Sequence, residues 1–442
     1  MGVLACLRRK STEHRILARL KMPRNPAIPA GTPMTTTQNA VKPLSRENRV
    51  SIGFLNWAHA LDHYVMLIFP TVVIGLEAVY GRSYSELIAL ATASFVAFGV
   101  FSLPAGWLAD HWSRRNIMAV FFIGCGVSLA AAAASANVYV LAVALAALGM
   151  FAAIYHPVGM AMLIEASDAR GRVLAFNGVC GNLGAALAAG ITALIATYAG
   201  WRMTFLVPAL VCVLTGFVYL WMVPDDRHRT ATRKSRPDFP LSWRAAAIMF
   251  GLFILIALGA GLAFNVISVA LPKLIDERVG QGVNLMAVGS LATAVFLVGA
   301  LAQLAMGRLV ERMAPTILLT LITATLFVGV FWSVYASGAV LMAAIAVAMI
   351  GLYGQVTVND VVIARYTADA WRGRIYAVRY FLVFISSGAA VASIAYLHAR
   401  GGFDLVLLAT AVVCFVFFAA TVGVAILVSG VEGRRHAAVP AE

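Results

Sequence analysis

Gly106-Trp107-Leu108-Ala109-Asp110-His111-Trp112-Ser113-Arg114-Arg115 separates two apolar runs, and a shorter echo, Gly307-Arg308-Leu309-Val310-Glu311-Arg312, does the same 201 residues later. A second pair keeps that offset to within one residue. Asp168-Ala169-Arg170-Gly171-Arg172, with Ala175 beyond it, is matched by Asp369-Ala370-Trp371-Arg372-Gly373-Arg374, with Ala377 beyond it. Two landmarks at one spacing, each in an equivalent loop, mark an internal duplication. Repeats in the same orientation fit two membrane bundles related by an axis along the membrane normal.

Outward from these landmarks the chain is mostly hydrocarbon. Of 442 residues, 62% are hydrophobic and only 12% charged, with a mean hydropathy of +0.88. An average soluble domain carries about 25% charged residues. This composition excludes ordinary soluble enzymes, nucleic-acid binders and secreted disulfide scaffolds. Apolar runs lie at 50–76, 85–109, 116–136, 138–165, 173–197 and 201–223, then at 244–271, 284–306, 315–336, 338–364, 375–397 and 403–428. In lipid the backbone must satisfy its own hydrogen bonds, so runs of this length predict helices. The expected fold is all-α: twelve transmembrane helices in two pseudo-symmetric six-helix bundles, 50–223 and 244–428. Five cysteines without a CxxC pair read as packing residues in a reduced setting.

Charge sets the orientation. Of 33 Lys and Arg residues, 28 fall in the tails, the even-numbered loops and the central linker. That bias places both termini in the cytoplasm of a multi-pass inner (plasma) membrane protein. Residues 1–49 read as a basic, Pro-containing cytoplasmic tail, with either a short amphipathic helix over Leu7–Met22 or a start at Met34. Residues 224–243 read as a linker between the bundles and 429–442 as a second tail.

At this point the chain resembles the major facilitator superfamily over residues 50 to 430. The 106–115 loop is similar to that superfamily's G-x-L-a-D-r-x-G-R-[RK] signature, with Ser113 at the second glycine, and Gly200-Trp201-Arg202 is a further familiar feature. His59-x-x-x-His63, Tyr155-His156-Pro157-x-Gly159 and Gly178-x-x-Gly181-Asn182-x-Gly184 resemble the subgroup of fosmidomycin-resistance-type efflux proteins. The resemblance implies alternating-access transport with helices 1, 4, 7 and 10 around a central cavity. The subgroup implies proton-driven antiport, with export of a small molecule.

The polar residues concentrate on those same four helices. Asp62 is the one carboxylate at mid-depth, and ionisable groups there are rare unless they function. Asn56, His59 and His63 share a helical face that Asp62 adjoins. Tyr155 and His156 stand on helix 4, Asn265 with Ser268 on helix 7, and Gln355 and Asn359 on helix 10. The expected coupling and substrate site is Asp62, His59, His63 and His156, with Asn56, Tyr155, Asn265, Gln355 and Asn359 around it, titrating as a coupled unit. The predicted core has no mid-depth Lys or Arg, which bounds the substrate to a monoanion, a zwitterion or an apolar compound. Gly178, Gly181 and Gly184 read as close helix contacts.

By the resemblance, Asp110 and Arg114 form a cytoplasmic gate, with Glu311 at the matching place in the second half. Glu165 precedes Arg170 by five residues, as Asp360 precedes Arg365, so these four predict charge pairs between helix ends. The expected function is a proton-coupled secondary transporter, a monomer in the bilayer, exporting a small organic solute. It needs no cofactor and no nucleic acid. A divalent metal or metal-chelate cargo is the alternative, although Asp62 and His63 point about 100° apart on an α-helix. A polytopic enzyme competes less well, because HExxH, GxSxG and paired intramembrane Asp motifs are missing from the sequence.

Overall fold

Backbone that satisfies its own hydrogen bonds dominates the computed structural model, which describes residues 44–167, 170–224, 243–280, 284–367 and 369–438. Among these residues there is no strand. Ten apolar helices each make one crossing: α1 (Arg46–Tyr80), α2 (Tyr84–His111), α3 (Arg114–Ala133), α4 (Val138–Ala166), α5 (Val173–Ala199), α6 (Trp201–Met222), α7 (Arg244–Arg278), α8 (Leu285–Leu309), α9 (Pro315–Ser333) and α10 (Gly338–Tyr366). The eleventh, Val378–Gly430, is 53 residues long and breaks at Gly401 and Gly402. Gly402 has φ 57°, a left-handed backbone that suits glycine, so the helix splits into α11 (378–400) and α12 (403–430). Twelve crossings result. The expected tail at 1–49 and the linker at 224–243 fall largely outside the described residues. At the other end, helix continues past 428 to Ala438.

Local chemistry explains the ends and breaks. Ser83 and Glu86 make a reciprocal capping box at the start of α2, and Asn137 accepts from the N–H groups of Tyr139 and Val140 at the start of α4. α1 is interrupted at Leu67, three residues before Pro70. Pro70 has no N–H to give to Met66, and its ring crowds that carbonyl. The N–H of Leu67 turns to Tyr64 O at 3.1 Å, tightening the turn.

Within the first six helices, α1 packs on α5, α2 on α4 and α3 on α6; within the second, α8 and α9 pack on α10, and α7 lies against α11 and α12. The halves meet along two seams that interchange when one half is mapped onto the other, α2 against α11 and α5 against α8. Small residues set both. A Cβ on Gly99 would lie 2.8 Å from Phe384 O, and one on Gly289 would lie 2.7 Å from Ala189 O. Termini-side helix ends form what is called here the terminal end, and the 80–84 and 400–402 bends lie at the far end.

Candidate functional site

α1 reaches Asp62 midway along its length, and the side chain is 1% exposed. Burying a carboxylate is costly unless something partners it. Asp62 Oδ2 lies 3.4 Å from His156 Nε2 of α4, while Oδ1 has no hydrogen-bond partner. The backbone of α4 makes this meeting possible. Tyr155–Gly159 forms a π-turn, wider than an α-turn, where Pro157 lacks an N–H. Across the wider turn Tyr155 reaches Asn177 of α5 and His156 reaches Asp62 of α1.

Asn177 of α5 organises the wall behind the cluster. Its Nδ2 donates to Asn56 Oδ1 at 3.0 Å and to Leu55 O at 3.3 Å, and its Oδ1 accepts from Tyr155 Oη at 2.9 Å. Its carbonyl lies 2.8 Å from His59 Nδ1. A carbonyl only accepts, so Nδ1 carries the hydrogen and a neutral His59 keeps its lone pair on Nε2. The His59 ring lies on Gly181, where a Cβ would come within 2.5 Å of Nε2, and Gly184 packs equally hard on Ala60 O. Gly178, by contrast, meets nothing within 4 Å, so the expected close-contact role holds at two of the three glycines. Asn177 escaped the sequence reading, although it is a polar residue one helical turn before Gly181 on a helix face packed on α1.

His59, His63 and His156 converge. Ring centroids lie 5.0 Å apart for His59 and His63, 5.4 Å for His59 and His156, and 5.8 Å for His63 and His156. One nitrogen from each ring lies within 4.8 Å of the other two. This is the one cluster of three metal-capable side chains among the described residues. His59 is buried, while His63 and His156 are half-buried. Phe98 and, from the second half, Phe384 cover His156, with centroids at 6.0 and 4.9 Å.

The second-half residues stand apart from this cluster. Asn265 Nδ2 donates to its own helix at Gly261 O, 2.8 Å away. Gln355 is buried with Oε1 unpartnered. Asn359 is fully buried, neither amide atom has a partner, and it faces a small void between α7, α10 and α11 with Phe253 and Arg379. Arg379, one of the 28 Lys and Arg residues counted to the tails, loops and linker by sequence, is buried, near the start of α11. It pairs with Asp360. Arg365 stacks over Tyr366.

At the terminal end Arg114 joins Asp110, 2.8 Å away, to Glu165. Glu165 thus takes part in a charge pair between helix ends, with Arg114 of α3, and the side chain of Arg170 lies outside those described. Glu311 is exposed at the equivalent bend. At the far end, Lys273 of α7 reaches Glu77 of α1 at 2.5 Å and Asp276 at 3.0 Å. His398 of α11 lies 2.9 Å from Ser85 Oγ of α2 and 3.2 Å from Glu277. Lys273 is buried, and by sequence it counts only as a minority charge on the non-cytoplasmic side. Cys125, Cys212 and Cys414 are buried and Cys180 half-buried, all four as free thiols.

Known proteins resemble this chain in family and in fold. The family model of the Major Facilitator Superfamily matches residues 52–287, more than half of the chain. Membrane sensor protein UhpC of Salmonella typhimurium (strain LT2) is 26% identical over 200 residues, 45% of each chain. Puromycin resistance protein pur8 of Streptomyces alboniger is 33% identical over 152 residues, 34% of this chain and 30% of that one. The matched stretches thus span less than half the length of either relative. A bacterial homolog of the human lysosomal transporter Spinster, in an inward-facing and unoccupied conformation, superposes with a TM-score of 0.67 at 12% identity, covering 87% of this chain and 96% of that chain. A D-xylose-proton symporter gives 0.65 at 15% identity, covering 86% and 97%. At such identities the structural likeness speaks to the fold alone.

Proposed function

The chain belongs to the Major Facilitator Superfamily, and from that premise we propose that it is a proton-driven exporter of a small organic solute working by alternating access. The family is one of membrane transporters, not enzymes. The observation that carries the finer reading is Asp62: 1% exposed, at the middle of α1, 3.4 Å from His156 and with one oxygen unpartnered. A carboxylate in that position is neutralised by a proton or by a bound cation, and a load that differs between two states is what shifts an equilibrium between them. The three imidazoles beside it extend the site to the partly exposed face of the cluster.

The cross-half contacts support a far-end-closed state. α2 and α11 run antiparallel from Ser85 against His398 to Gly99 against Phe384, about 21 Å of helix at 1.5 Å per residue. The excess of Lys and Arg at the terminal end supports a cytoplasmic setting for that end in the inner (plasma) membrane. In this reading the site opens toward the cytoplasm, loads solute there and exchanges it for a proton at the other face. Similarity to a resistance protein supports export as the direction.

Reconstituted vesicles with a pH-sensitive dye, challenged with a panel of organic compounds that includes puromycin, test the reading. An active compound should move protons in wild type and not in Asp62→Asn, with both proteins eluting as folded monomers. Wild-type-like proton movement in Asp62→Asn, or solute flux indifferent to a pH gradient, overturns it.

A further inference from the structure

Hydrogen-bonded imidazoles in a static core use their nitrogens on one another or on nearby hydroxyls. The half-depth cluster is built differently. Among the described residues no hydrogen bond joins one of its three rings to another, yet one nitrogen from each lies within 4.8 Å of the other two. The rings contact at 40°, 86° and 84°, so the nitrogens converge without the planes stacking. Two of the three rings have one nitrogen engaged and the other left over: His59 Nδ1 donates to Asn177 O at 2.8 Å, leaving Nε2, and His156 Nε2 faces Asp62 Oδ2 at 3.4 Å, leaving Nδ1. Orientation by a carbonyl and by a carboxylate is the outer shell that metal-binding histidines carry, because it fixes the tautomer and raises ligand basicity.

We propose that His59, His63 and His156 bind a borderline divalent transition-metal ion of the zinc, cobalt or nickel class, with Asp62 as the outer carboxylate that orients His156. The proposal rests on reading this cluster as the transporter's binding site, and it names an ion class for that site. Imidazole nitrogen selects such ions over calcium and magnesium, which take oxygen. At metal–nitrogen distances near 2.0–2.1 Å a tetrahedral site needs nitrogens about 3.3 Å apart. From 4.8 Å, shifts of roughly an ångström in the rings of half-buried His63 and His156 close the gap. Three protein donors leave a fourth position for water or a solute oxygen, the pattern of an exchangeable site rather than a sealed structural one. The difficulty seen in the sequence, that Asp62 and His63 diverge on their helix, dissolves: the carboxylate serves from the outer shell and the imidazole from the inner.

The test is Co2+ titration of the purified full-length protein in detergent, followed by visible absorption and by calorimetry. One equivalent should bind with the strong d–d bands of a four- or five-coordinate nitrogen site, and Zn2+ should displace it. His63→Gln and His156→Gln should abolish the bands. Asp62→Asn should keep the bands and weaken binding by about 10–100-fold, as loss of an outer-shell partner does. His398→Gln at the far end should change nothing. His59→Ala risks the packing on Gly181, so the other two histidines are the decisive positions, with folding checked by size exclusion. Binding that survives the His63→Gln/His156→Gln double variant, or no saturable binding below about 1 mM to folded wild type, overturns the proposal. Solute-driven proton flux without Co2+ binding would remove the metal and leave the transport reading standing. Co2+ binding without any proton-linked flux would do the reverse.

Discussion

The two ends of the bundle are fastened by the same residue types in opposite arrangements. At the far end a network crosses between halves, where Lys273 of α7 holds Glu77 of α1 and His398 of α11 bridges Ser85 of α2 to Glu277 of α7, while Arg278 and Asp404 pair within the second half. Among the described residues at the terminal end the ion pairs stay within a half: Arg114 ties α2, α3 and α4 together through Asp110 and Glu165, and Asp360 pairs with Arg379 between α10 and α11. A pair that crosses must break for the halves to separate, whereas a pair within a half travels with it. The far-end network therefore opposes rocking in this state, and the terminal-end triad stiffens the part that rocks.

The widest effect on that contrast is expected from Lys273→Ala. It strips the cation from Glu77 and Asp276, whose carboxylates are 32% and 25% exposed. Solvent contact discounts the 3–5 kcal/mol of a fully buried broken pair to about 2 kcal/mol. The distance between spin labels at Arg82 and Arg400 should shift toward a longer, far-end-open population. An unchanged distribution would mean that the crossing charges do not hold that end.

Next comes Gly99→Ala, which drives a methyl to 2.8 Å from Phe384 O and 3.0 Å from Ile385 Cα. Backbone cannot yield as a flexible side chain does, so about 1–3 kcal/mol of overpacking falls on the α2–α11 seam. The same label pair should open without loss of the protein's thermal stability beyond a few degrees. Arg114→Ala should act more weakly on stability, about 1 kcal/mol or less, because Asp110 is 62% exposed and the pair is screened by salt. Its mark should be slower turnover in vesicles at an unchanged far-end distance; a change at the far end would erase the distinction between the two ends. The smallest effect belongs to Ser387→Ala, whose hydroxyl shares its hydrogen between Phe384 O of its own helix at 2.5 Å and Phe95 O across the seam at 3.1 Å, so the loss is about 0.5–1.5 kcal/mol with no charge to unmask. A thermal-shift measurement should register it barely, and a large shift would relocate the lock from the outer charges to mid-seam.

Much of this was open to reading before any coordinates. Each crossing is visible because lipid obliges every helix to satisfy itself locally, and the duplication shows in loop landmarks. Asp62 stood out because a mid-span carboxylate is costly wherever it points. The pairings were another matter. The spacing pointed to charge pairs at the helix ends without naming partners, and the structure gives Glu165 the partner Arg114 and Asp360 the partner Arg379. Both partners come from a neighbouring helix of the same half, which no local spacing specifies. Arg379 was assigned to a loop because hydropathy blurs where helix begins beside a charged stretch. Lys273 looked like a topology marker because nothing local reveals a carboxylate 196 residues away.

The amino-acid sequence by itself determined twelve apolar helices, their repeat, their side of highest positive charge and a single acidic group at half-depth, since all of these follow from how one segment meets lipid or water. Only the tertiary structure decided which helix faces meet. It brought His156 through a proline-induced π-turn onto Asp62, set Asn177 behind His59 and laid Lys273 against Glu77. Those contacts depend on packing between segments far apart in the chain, where small residues permit approach and no local rule specifies the partner.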